Sequence, residues 1–569
     1  MGSIAEPVAP SESPNGEMAV SPSRRVPAGS GKRVTASAWT ALAAAGIGVG
    51  IYLRATQLPI QILIDDEWHA IHKLLQSDAK GILTSFGVAD YSIPLTLYYR
   101  FVALHGGLSE WAMHVPLLVA GIALLVVAPL MLRREAEPPV RAVWVALLAI
   151  SPLLVYLSRT ARPYALTCLL AFVAVIAFRR WWLGTSRATT WACVYVVATF
   201  LAGWVHLIAL PFTLLPFGYA AIATLAAPAA HDRMRAMLRL LRLGAITALP
   251  LLAALLPPLF ASAGQLAEKA GNDRATIESL YRSALMLFGT GSPWVLAAAC
   301  LLLVVGVRRA MRRDRGFVAY IVFISIGLAL AVAAARPAWV QHPLVFARYM
   351  LPALPFALLF VAEGAVTCAA AFARPSMQAA AIAIAMLALF CTGPIPRYLY
   401  YPNQFVDHAR FQFDYDDAHN PYVRKIPQGP IPAFYRTLAQ RQPASLTLIE
   451  APWRLESNFI PFPWYQAVHR QFVMIGLVTP VCGERDFGEY PATEARLRFR
   501  YFAHLSEILR GRTYGADYLV MHVKPWTIPP DAPVAWPNVA SCLPAVEAKL
   551  GAPVFRDDAI VVFDLKGRR

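Results

Sequence analysis

The sequence predicts a polytopic α-helical membrane protein that carries a C-terminal exported α/β domain. The 569 residues are 57% hydrophobic and only 15% charged, with a mean hydropathy of +0.50. Apolar runs of about 20 residues, the length that crosses the hydrocarbon core of a bilayer, recur along the first two thirds of the chain. After about residue 396 the pattern changes to alternating strand-like and helix-like segments. These observations exclude a single soluble core.

Hydropathy over windows of about 19 residues predicts eleven transmembrane helices, with Pro tolerated where neighbouring helices satisfy the freed carbonyl groups. The predicted spans lie near 35–53, 112–132, 141–157, 164–180, 190–207, 209–227, 243–261, 284–307, 317–335, 349–371 and 376–394. Between the first two spans lies a long loop, 54–111, with apolar helical stretches such as "WHAIHKLL". We expect this loop to lie partly in the membrane interface as amphipathic helices.

Arginine clusters in alternate loops predict the orientation, because cytoplasmic loops carry the excess of Lys and Arg. The clusters "SRR", "LRRE" and "RRAMRRDR" all fall on the side of the N-terminus, which is therefore cytoplasmic. Residues 1–33, rich in Ser, Pro, Gly and Ala, should form a disordered cytoplasmic arm. The transmembrane domain then covers 34–396, and the domain 397–569 is exported. The net charge of +17 reflects this topology, and we infer no nucleic-acid partner from it.

The exported domain should contain a small, largely parallel sheet. Strand-like runs fall at 445–450, 472–477, 518–523 and 559–565, and helical patterns at 430–441, 494–510 and 539–550. The domain lacks a glycine-rich phosphate loop, so nucleotide binding is not supported. A disulfide between Cys482 and Cys542 is chemically permitted outside the cell, but the sequence leaves their pairing open.

Residues 62–72 read "ILIDDEWHAIH", with three adjacent acidic side chains in the first outer loop. One interpretation is a helix N-cap, in which Asp65 or Asp66 caps a helix that starts near Glu67 and acidic groups favour the helix dipole. Capping accounts for one carboxylate and leaves the second unexplained. The other interpretation is a catalytic carboxylate at the membrane face.

Five segments resemble, in order, those of a known family: "DDEWHAI", "ADYSIPLTLYYRFVALHG", "SPLLVYLSRTARPYAL", "VHLIALP" and "FARYMLPALPFALLF". The chain is similar to the bacterial membrane glycosyltransferases related to protein O-mannosyltransferases and the lipid A aminoarabinose transferase. The resemblance implies a class C glycosyltransferase in the bacterial inner membrane, with the C-terminal domain in the periplasm. It also implies a polyprenyl-phosphate sugar as donor, embedded in membrane lipid, and a glycolipid, polysaccharide or protein as acceptor. Two positions depart from the family pattern: "YSIPLTLYY" lacks the usual histidine, and His114 stands where an arginine is usual.

The resemblance assigns the catalytic base to Asp66, with Glu67 beside it, and assigns no role to Asp65. A single base on the acceptor side suffices for direct displacement with inversion at the anomeric carbon. Asp90, late in the first loop, would orient the acceptor or join a divalent metal with Asp66. No ligand spacing compels a metal, so the metal and any other cofactor stay unknown.

The departing phosphate needs cations near the outer surface. Arg162 and Arg348 fall at predicted outer ends of spans, and a guanidinium binds phosphate with two-point geometry; the alternative is snorkelling to lipid headgroups. Tyr164 and Tyr349 would line the same pocket or belong to the aromatic belt. His206 matches a family histidine that could hydrogen-bond sugar or phosphate, and its alternative is a structural role.

Two other functions are compatible with the sequence. A transporter or flippase would show intramembrane charges and internal repeats, but the clear acid inside a span is Glu363 and no repeat is visible. A non-catalytic envelope assembly protein would use the exported domain to bind a partner. The acidic loop distinguishes the enzyme from both, because only the enzyme requires Asp66 for sugar transfer.

Overall fold

The computed structural model describes ten stretches of the chain. They are residues 36–63, 67–88, 90–185, 187–226, 230–271, 273–396, 431–453, 462–483, 494–524 and 539–568. The predicted cytoplasmic arm, the start of the predicted exported domain, and the acidic residues Asp65 and Asp66 lie outside the described residues.

The described chain is mostly helical up to residue 396. The long apolar helices are α1 (Ala36–Ala55), α5 (Glu110–Met131), α8 (Tyr164–Trp182), α9 (Ala188–Val205), α11 (Ala230–Ala261), α14 (Pro293–Arg313), α15 (Arg315–Ala335), α16 (Pro343–Met350) continuing into α17 (Leu354–Ala369), and α18 (Pro375–Thr392). Within the described residues these make nine helices of membrane-spanning length, or ten with the pair α6 (Pro138–Ile150) and α7 (Pro152–Ser158), which bend by 58°. The apolar helix α10 (Ala209–Leu225) is shorter. The prediction of a multi-pass helical membrane protein is confirmed.

The predicted span 284–307 has the wrong bounds. The run 284–307 was expected to be one helix, but the structure has α13 (Ile277–Phe288) and α14, which begins only at Pro293. Gly289 ends α13 in the left-handed conformation, with φ +73°, and Pro293 occupies the first turn of α14. Left-handed glycine ends a helix and an N-terminal proline starts one, so the apolar run is divided at this point.

The first loop contains ordered helices between α1 and α5. They are a 3₁₀ turn (Leu58–Ile60), α2 (Trp68–Gln76), α3 (Ala79–Thr84) and α4 (Ile93–His105). A further short helix, α12 (Ala263–Glu268), follows α11. The buried apolar faces of α2 and α4 share one core with residues of the C-terminal domain that was predicted to be exported and is called the exported domain below. Among these residues are Tyr435, Trp453 and Tyr501.

In its described segments, the exported domain contains a mixed six-stranded sheet in the order β3-β2-β1-β4-β6-β5. The strands are β1 (Thr447–Ala451), β2 (Phe472–Leu477), β3 (Phe502–His504), β4 (Tyr518–His522), β5 (Phe555–Arg556) and β6 (Ile560–Asp564), and the helices are α19 (Ala433–Ala439), α20 (Phe462–His469), α21 (Leu505–Ile508) and α22 (Val539–Leu550). β1, β2, β3 and β4 are parallel, whereas β6 runs antiparallel to β4 and β5.

The structure of the exported domain differs from the prediction at 494–510, and it shows whether Cys482 and Cys542 pair. The predicted helix at 494–510 is wrong, since that stretch holds β3 and the four-residue α21. Its aromatic residues Phe499, Tyr501 and Phe502 pack against the first loop instead of following one helical face. Cys482 and Cys542 form a disulfide.

Two glycines allow α14 and α17 to pack in close contact. A Cβ on Gly306 would lie 1.8 Å from the Phe360 carbonyl oxygen, and one on Gly364 would lie 1.9 Å from the Leu302 carbonyl oxygen. Small residues at such crossings let helix backbones approach within a membrane, where packing rather than the hydrophobic effect holds helices together. The pair therefore fixes how α17, which begins beside the candidate site, sits on the bundle.

Replacing Gly306 with Ala should lower the thermal stability of the protein in detergent. The added methyl group would force α14 and α17 apart, at a cost of roughly 1–3 kcal/mol. Gly48→Ala on α1 is the matched control, because a Cβ there meets nothing within 4 Å, and alanine is the better helix former. Apparent melting temperatures measure both effects; equal behaviour of the two variants would contradict the close-packing assignment.

Candidate active site

Five residues singled out in the sequence line one cavity. Arg162, Tyr164, His206, Arg348 and Tyr349 surround a space of about 610 Å³. They come from the start of α8, the end of α9, and the helix α16, so the cavity lies at one end of the membrane helices. Residues nearly 200 positions apart in the chain thus converge on one space.

The two arginines converge on a single aromatic ring. The Arg348 Cζ lies 5.2 Å from the ring centroid of Tyr164, and the Arg162 Cζ lies 6.0 Å from the same centroid. Arg162 is 6% exposed. Tyr164 therefore contacts both guanidinium groups through its π face, which attracts the cations without neutralising them.

His206 is a neutral hydrogen-bonding group in this cavity. Its Nδ1 accepts a hydrogen bond from the backbone N–H of Ile208 at 3.1 Å, so the ring carries its proton on Nε2. The ring also contacts Tyr164, with centroids 5.4 Å apart. Burial, and then the positive charges of Arg162 and Arg348, lower the pKa of His206 to about 3. At neutral pH the imidazole can donate from Nε2 without adding charge.

Further polar residues of the cavity escaped sequence reasoning. They are His69 on α2, Tyr91 before α4, Lys269 after α12 and His342 before α16. Lys269 Nζ lies 5.7 Å from the ring centroid of Tyr91. Burial, and then the nearby Arg348, lowers the pKa of His342 to about 4. Lys269 stands in "LAEKAGN", which matches no motif, so only its position in a loop predicted to be on the outer side could have pointed to it.

The charged side chains described in the cavity lining are all cationic, and one wall of the cavity is apolar. Arg162, Arg348 and Lys269 line it, and its described lining residues include neither Asp nor Glu. An apolar wall is formed by residues of α15, α16 and the start of α10: Leu207, Ile208, Pro211, Leu328, Ala331, Val332, Ala335, Leu344 and Val345. A cavity with a cationic end and an apolar wall suits a ligand that combines an anionic head with a hydrocarbon chain.

Asp90 is buried beside the cavity and its two oxygens hold the start of α4. Oδ1 accepts from the backbone N–H of Ser92 at 3.3 Å, and Oδ2 accepts from the hydroxyl of Thr96 at 2.6 Å. Its chain neighbour Tyr91 lines the cavity, whereas Asp90 is not among the lining residues. The structure thus gives Asp90 a role in ordering Tyr91 and does not bring it together with the arginines.

Glu67 connects the acidic loop to two other segments. Its side chain is fully buried, and Oε1 accepts hydrogen bonds from His114 Nε2 at 2.8 Å and from the backbone N–H of Ala161. Ala161 lies between Thr160 and Arg162, which both line the cavity. Although Glu67 is the N-cap residue of α2, its side chain makes no capping bond. Glu67 therefore positions the loop against the arginine segment, and it is not among the described cavity-lining residues.

A second set of bonds anchors the loop just before the acidic residues. The backbone N–H of Leu63 donates to Glu110 Oε1 at 3.2 Å. The side-chain amide of Gln61 donates to the carbonyl oxygen of Arg159 and accepts from the Arg159 guanidinium group, each at 3.1 Å. Arg159 also donates to three carbonyl groups at the C-terminal end of α1. This cation near the Arg162 motif thus caps a helix, and it does not line the cavity.

The intramembrane acid Glu363 is paired at the other end of the bundle. Its Oε1 lies 2.9 Å from an Arg313 amino group and 3.4 Å from Arg309 Nε. A paired acid remote from the cavity gives no support to a transport pathway. In the part of the chain that the structure describes, no group of three or more His, Cys, Asp and Glu could hold a metal ion. Asp66, the predicted partner of any metal, lies outside that part.

No protein-family profile matches the sequence, and no curated protein matches it significantly. Solved structures do resemble the fold. ArnT from Cupriavidus metallidurans bound to undecaprenyl phosphate is 14% identical, with 93% of this chain and 98% of that chain covered and a TM-score of 0.48. AglB from Archaeoglobus fulgidus, an oligosaccharyltransferase in complex with an inhibitory peptide and a dolichol-phosphate, is 11% identical, with 85% and 69% covered and a TM-score of 0.42.

A third similar structure is the arabinofuranosyltransferase AftD from Mycobacteria, 16% identical, with 94% of this chain and 42% of that chain covered and a TM-score of 0.43. At these values the similarities concern architecture and assign no substrate to this chain. ArnT, AglB and AftD are thus among the solved structures to which the architecture of this chain is similar.

Proposed function

We propose that the protein is an integral membrane glycosyltransferase that moves a hexosyl or pentosyl group from a polyprenyl-phosphate donor to an acceptor hydroxyl. The observation that supports this most is the convergence of Arg162, Arg348 and Lys269 on one cavity with an apolar wall. A polyprenyl-phosphate sugar has the matching chemistry, since it joins a phosphate to an isoprenoid chain. A soluble sugar nucleotide would leave the apolar wall without a partner.

Arg162 and Arg348 are proposed to bind and stabilise the phosphate of the donor. As the bond between the anomeric carbon and the phosphate oxygen breaks, negative charge grows on the leaving phosphate. Arg162 and Arg348 stabilise this charge in a largely buried cavity, where such interactions are stronger than in water. His206 donates from Nε2 to a phosphate or sugar oxygen, and Tyr164 and Tyr349 fix the two guanidinium groups and the walls of the site.

Asp66 is the proposed base. It takes the proton of the acceptor hydroxyl while that oxygen attacks the anomeric carbon from the face opposite the phosphate, so the configuration inverts. Glu67 supports it as a positioning residue, because its buried carboxylate ties the loop to the segment of Arg162. Asp90 acts through Tyr91, and no set of metal-binding side chains is found in the described part of the chain.

The reaction is proposed to occur at the outer face of the bacterial inner membrane. The arginine-rich loops at the opposite end of the helices support a cytoplasmic location for that end. The disulfide between Cys482 and Cys542 supports an oxidising, periplasmic compartment for the sheet domain. The acceptor is a glycolipid, a polysaccharide or a protein with access from that side.

Asp66→Asn should abolish most sugar transfer. Loss of a general base typically costs about 10²–10⁴-fold in rate, and the donor should still bind because the cationic end of the cavity is intact. The measurement is transfer from a synthetic polyprenyl-phosphate sugar by purified protein. Asp78→Asn is the matched control: Asp78 caps α3 through Gly81 N–H, and Asn caps a helix equally well. An Asp66→Asn protein with normal turnover would rule out the proposed base.

Arg162→Ala and Arg348→Ala should each lower transfer at limiting donor by roughly tenfold or more. Each charge-assisted bond contributes about 1.5–3 kcal/mol, and the growing charge of the leaving phosphate places part of the loss in kcat as well as in KM. Arg348→Lys should restore only part of the activity, because an ammonium group cannot reproduce the two-point geometry.

Arg336→Ala is the control for the two arginines. Arg336 also ends a span on this side, at the C-terminus of α15, and does not line the cavity. Steady-state kinetics of the four variants separate the possibilities. Small and equal losses in all of them would mean that the arginines only snorkel to the headgroups.

His206 should not titrate in the pH profile of activity between pH 5 and 8, because its pKa is lowered to about 3. His206→Gln, which keeps a neutral donor, should keep the shape of the profile and more activity than His206→Leu. Since the folded pKa lies below the unfolded value, the neutral ring contributes stability that is lost as pH falls from about 6.5 towards 3. Melting temperatures of donor-free protein should therefore fall less steeply with acidification in His206→Gln than in the wild type.

A further inference from the structure

Trp68, the residue after Glu67, is enclosed by aromatic rings of the exported domain. Its ring lies 5.7 Å from that of Trp453, 6.3 Å from that of Phe502, against which it is stacked, and 6.3 Å from that of Tyr501. The indole is 2% exposed, and its Nε1 donates to the carbonyl oxygen of Leu63 at 3.3 Å. One side chain thus holds both ends of the acidic segment and is itself held by the exported domain.

A glutamine of the exported domain makes a second contact with the same loop. Gln466 on α20 accepts a hydrogen bond at Oε1 from the backbone N–H of Ile62 at 3.2 Å, and its Nε2 donates to the carbonyl oxygen of Ile60. Gln466 is 7% exposed. A primary amide that pairs with the N–H of one residue and the C=O of another fixes the path of the backbone between them.

The exported domain is also fastened to the first loop through backbone bonds at the end of α4. Leu108 N–H donates to the Arg498 carbonyl at 2.8 Å, Arg498 N–H donates to the Ala103 carbonyl at 3.0 Å, and Arg500 N–H donates to the Leu108 carbonyl at 2.8 Å. The side chains of Arg100 and Glu494 form an ion pair beside them. These bonds hold the aromatic residues 499–502 at a fixed position relative to the loop.

We propose that the exported domain is a positioning element for the acidic loop. Residues 60–63 and 67–68, on either side of the three positions that include Asp66, are held from the membrane domain by Glu110, His114 and the backbone of Ala161, and from the exported domain by Gln466 and the cage around Trp68. The catalytic role of the loop rests on the proposed function, whereas the positioning itself does not. The domain therefore sets the rate of transfer by ordering the loop, in addition to any contact with the acceptor.

Two variants of the exported domain test this proposal and leave the residues of the loop and of the cavity unchanged. Phe502→Ala removes one wall of the Trp68 cage, and Gln466→Ala removes the amide from Ile60 and Ile62. We expect amide hydrogen exchange of residues 60–68 in the purified full-length protein to rise about fivefold or more, as the loss of one or two hydrogen bonds or a packed ring implies. The matched controls are Phe472→Ala, at a position that is 37% exposed at the start of β2, and Gln440→Ala, at the exposed end of α19.

Exchange in β1, β2 and β4 reports whether the domain remains folded. Gln466→Ala leaves the aromatic core in place and carries the test by itself should Phe502→Ala unfold the domain. Unchanged exchange at 60–68 in Gln466→Ala, or an equal rise in both controls, would overturn the proposal. This readout needs no substrate, so it stands even if the wild-type protein transfers no sugar from a polyprenyl phosphate.

Activity provides the second readout. With a synthetic polyprenyl-phosphate sugar, both variants should lose about tenfold in kcat while the donor KM stays near the wild-type value, because Arg162 and Arg348 are unaltered. An increase in KM at normal kcat would mean that the domain shapes the donor site instead, which contradicts positioning of the acidic loop. Absence of transfer by the wild type would count against the proposed function alone.

Discussion

The fully buried carboxylate of Glu67 is the interaction on which the rest of the site depends. It accepts hydrogen bonds from His114 on α5 and from the backbone of Ala161, and so joins the acidic loop, a membrane helix and the segment of Arg162. A carboxylate without water must have such partners, since an uncompensated buried charge costs several kcal/mol. The loop can therefore reach its buried position only when the other two segments are in place, and the geometry of the three is set together.

Two buried arginines hold the ends of neighbouring helices in place. Arg54, with no exposed surface, donates to the carbonyl groups of Leu148 and Ala149 at the end of α6, while Arg159 donates to the carbonyl groups at the end of α1. Each helix end is thus capped from the neighbouring element, where water could not satisfy the free carbonyl groups. The arginines of this region divide into those that close helix ends and those that line the cavity, and proximity to a motif does not distinguish them.

Part of this organisation can be predicted from the sequence, because it depends on local properties. Apolar run length locates the spans, and the residues Arg162 and Arg348 stand out as cations at span ends within recognisable segments. Residues such as Lys269 and Tyr91 could not be found in this way, because only the folding of separate loops onto one another brings them to the cavity. The split between α13 and α14 was missed because an apolar run masks a turn that one glycine and one proline create.

The acidic triplet shows how a local pattern can hold two kinds of information. The capping interpretation placed the N-cap at Asp65 or Asp66, which lie outside the described residues. In the structure Glu67 occupies the cap position of α2, and its side chain makes no capping bond. Its charge is used instead to bind distant segments, which a sequence window cannot reveal. Glu67 and Trp68 fix the described part of the loop by their own contacts, whereas the proposed function assigns the base to Asp66. A base must combine a fixed position with unshared lone pairs, and dividing the two tasks between neighbouring residues meets both requirements.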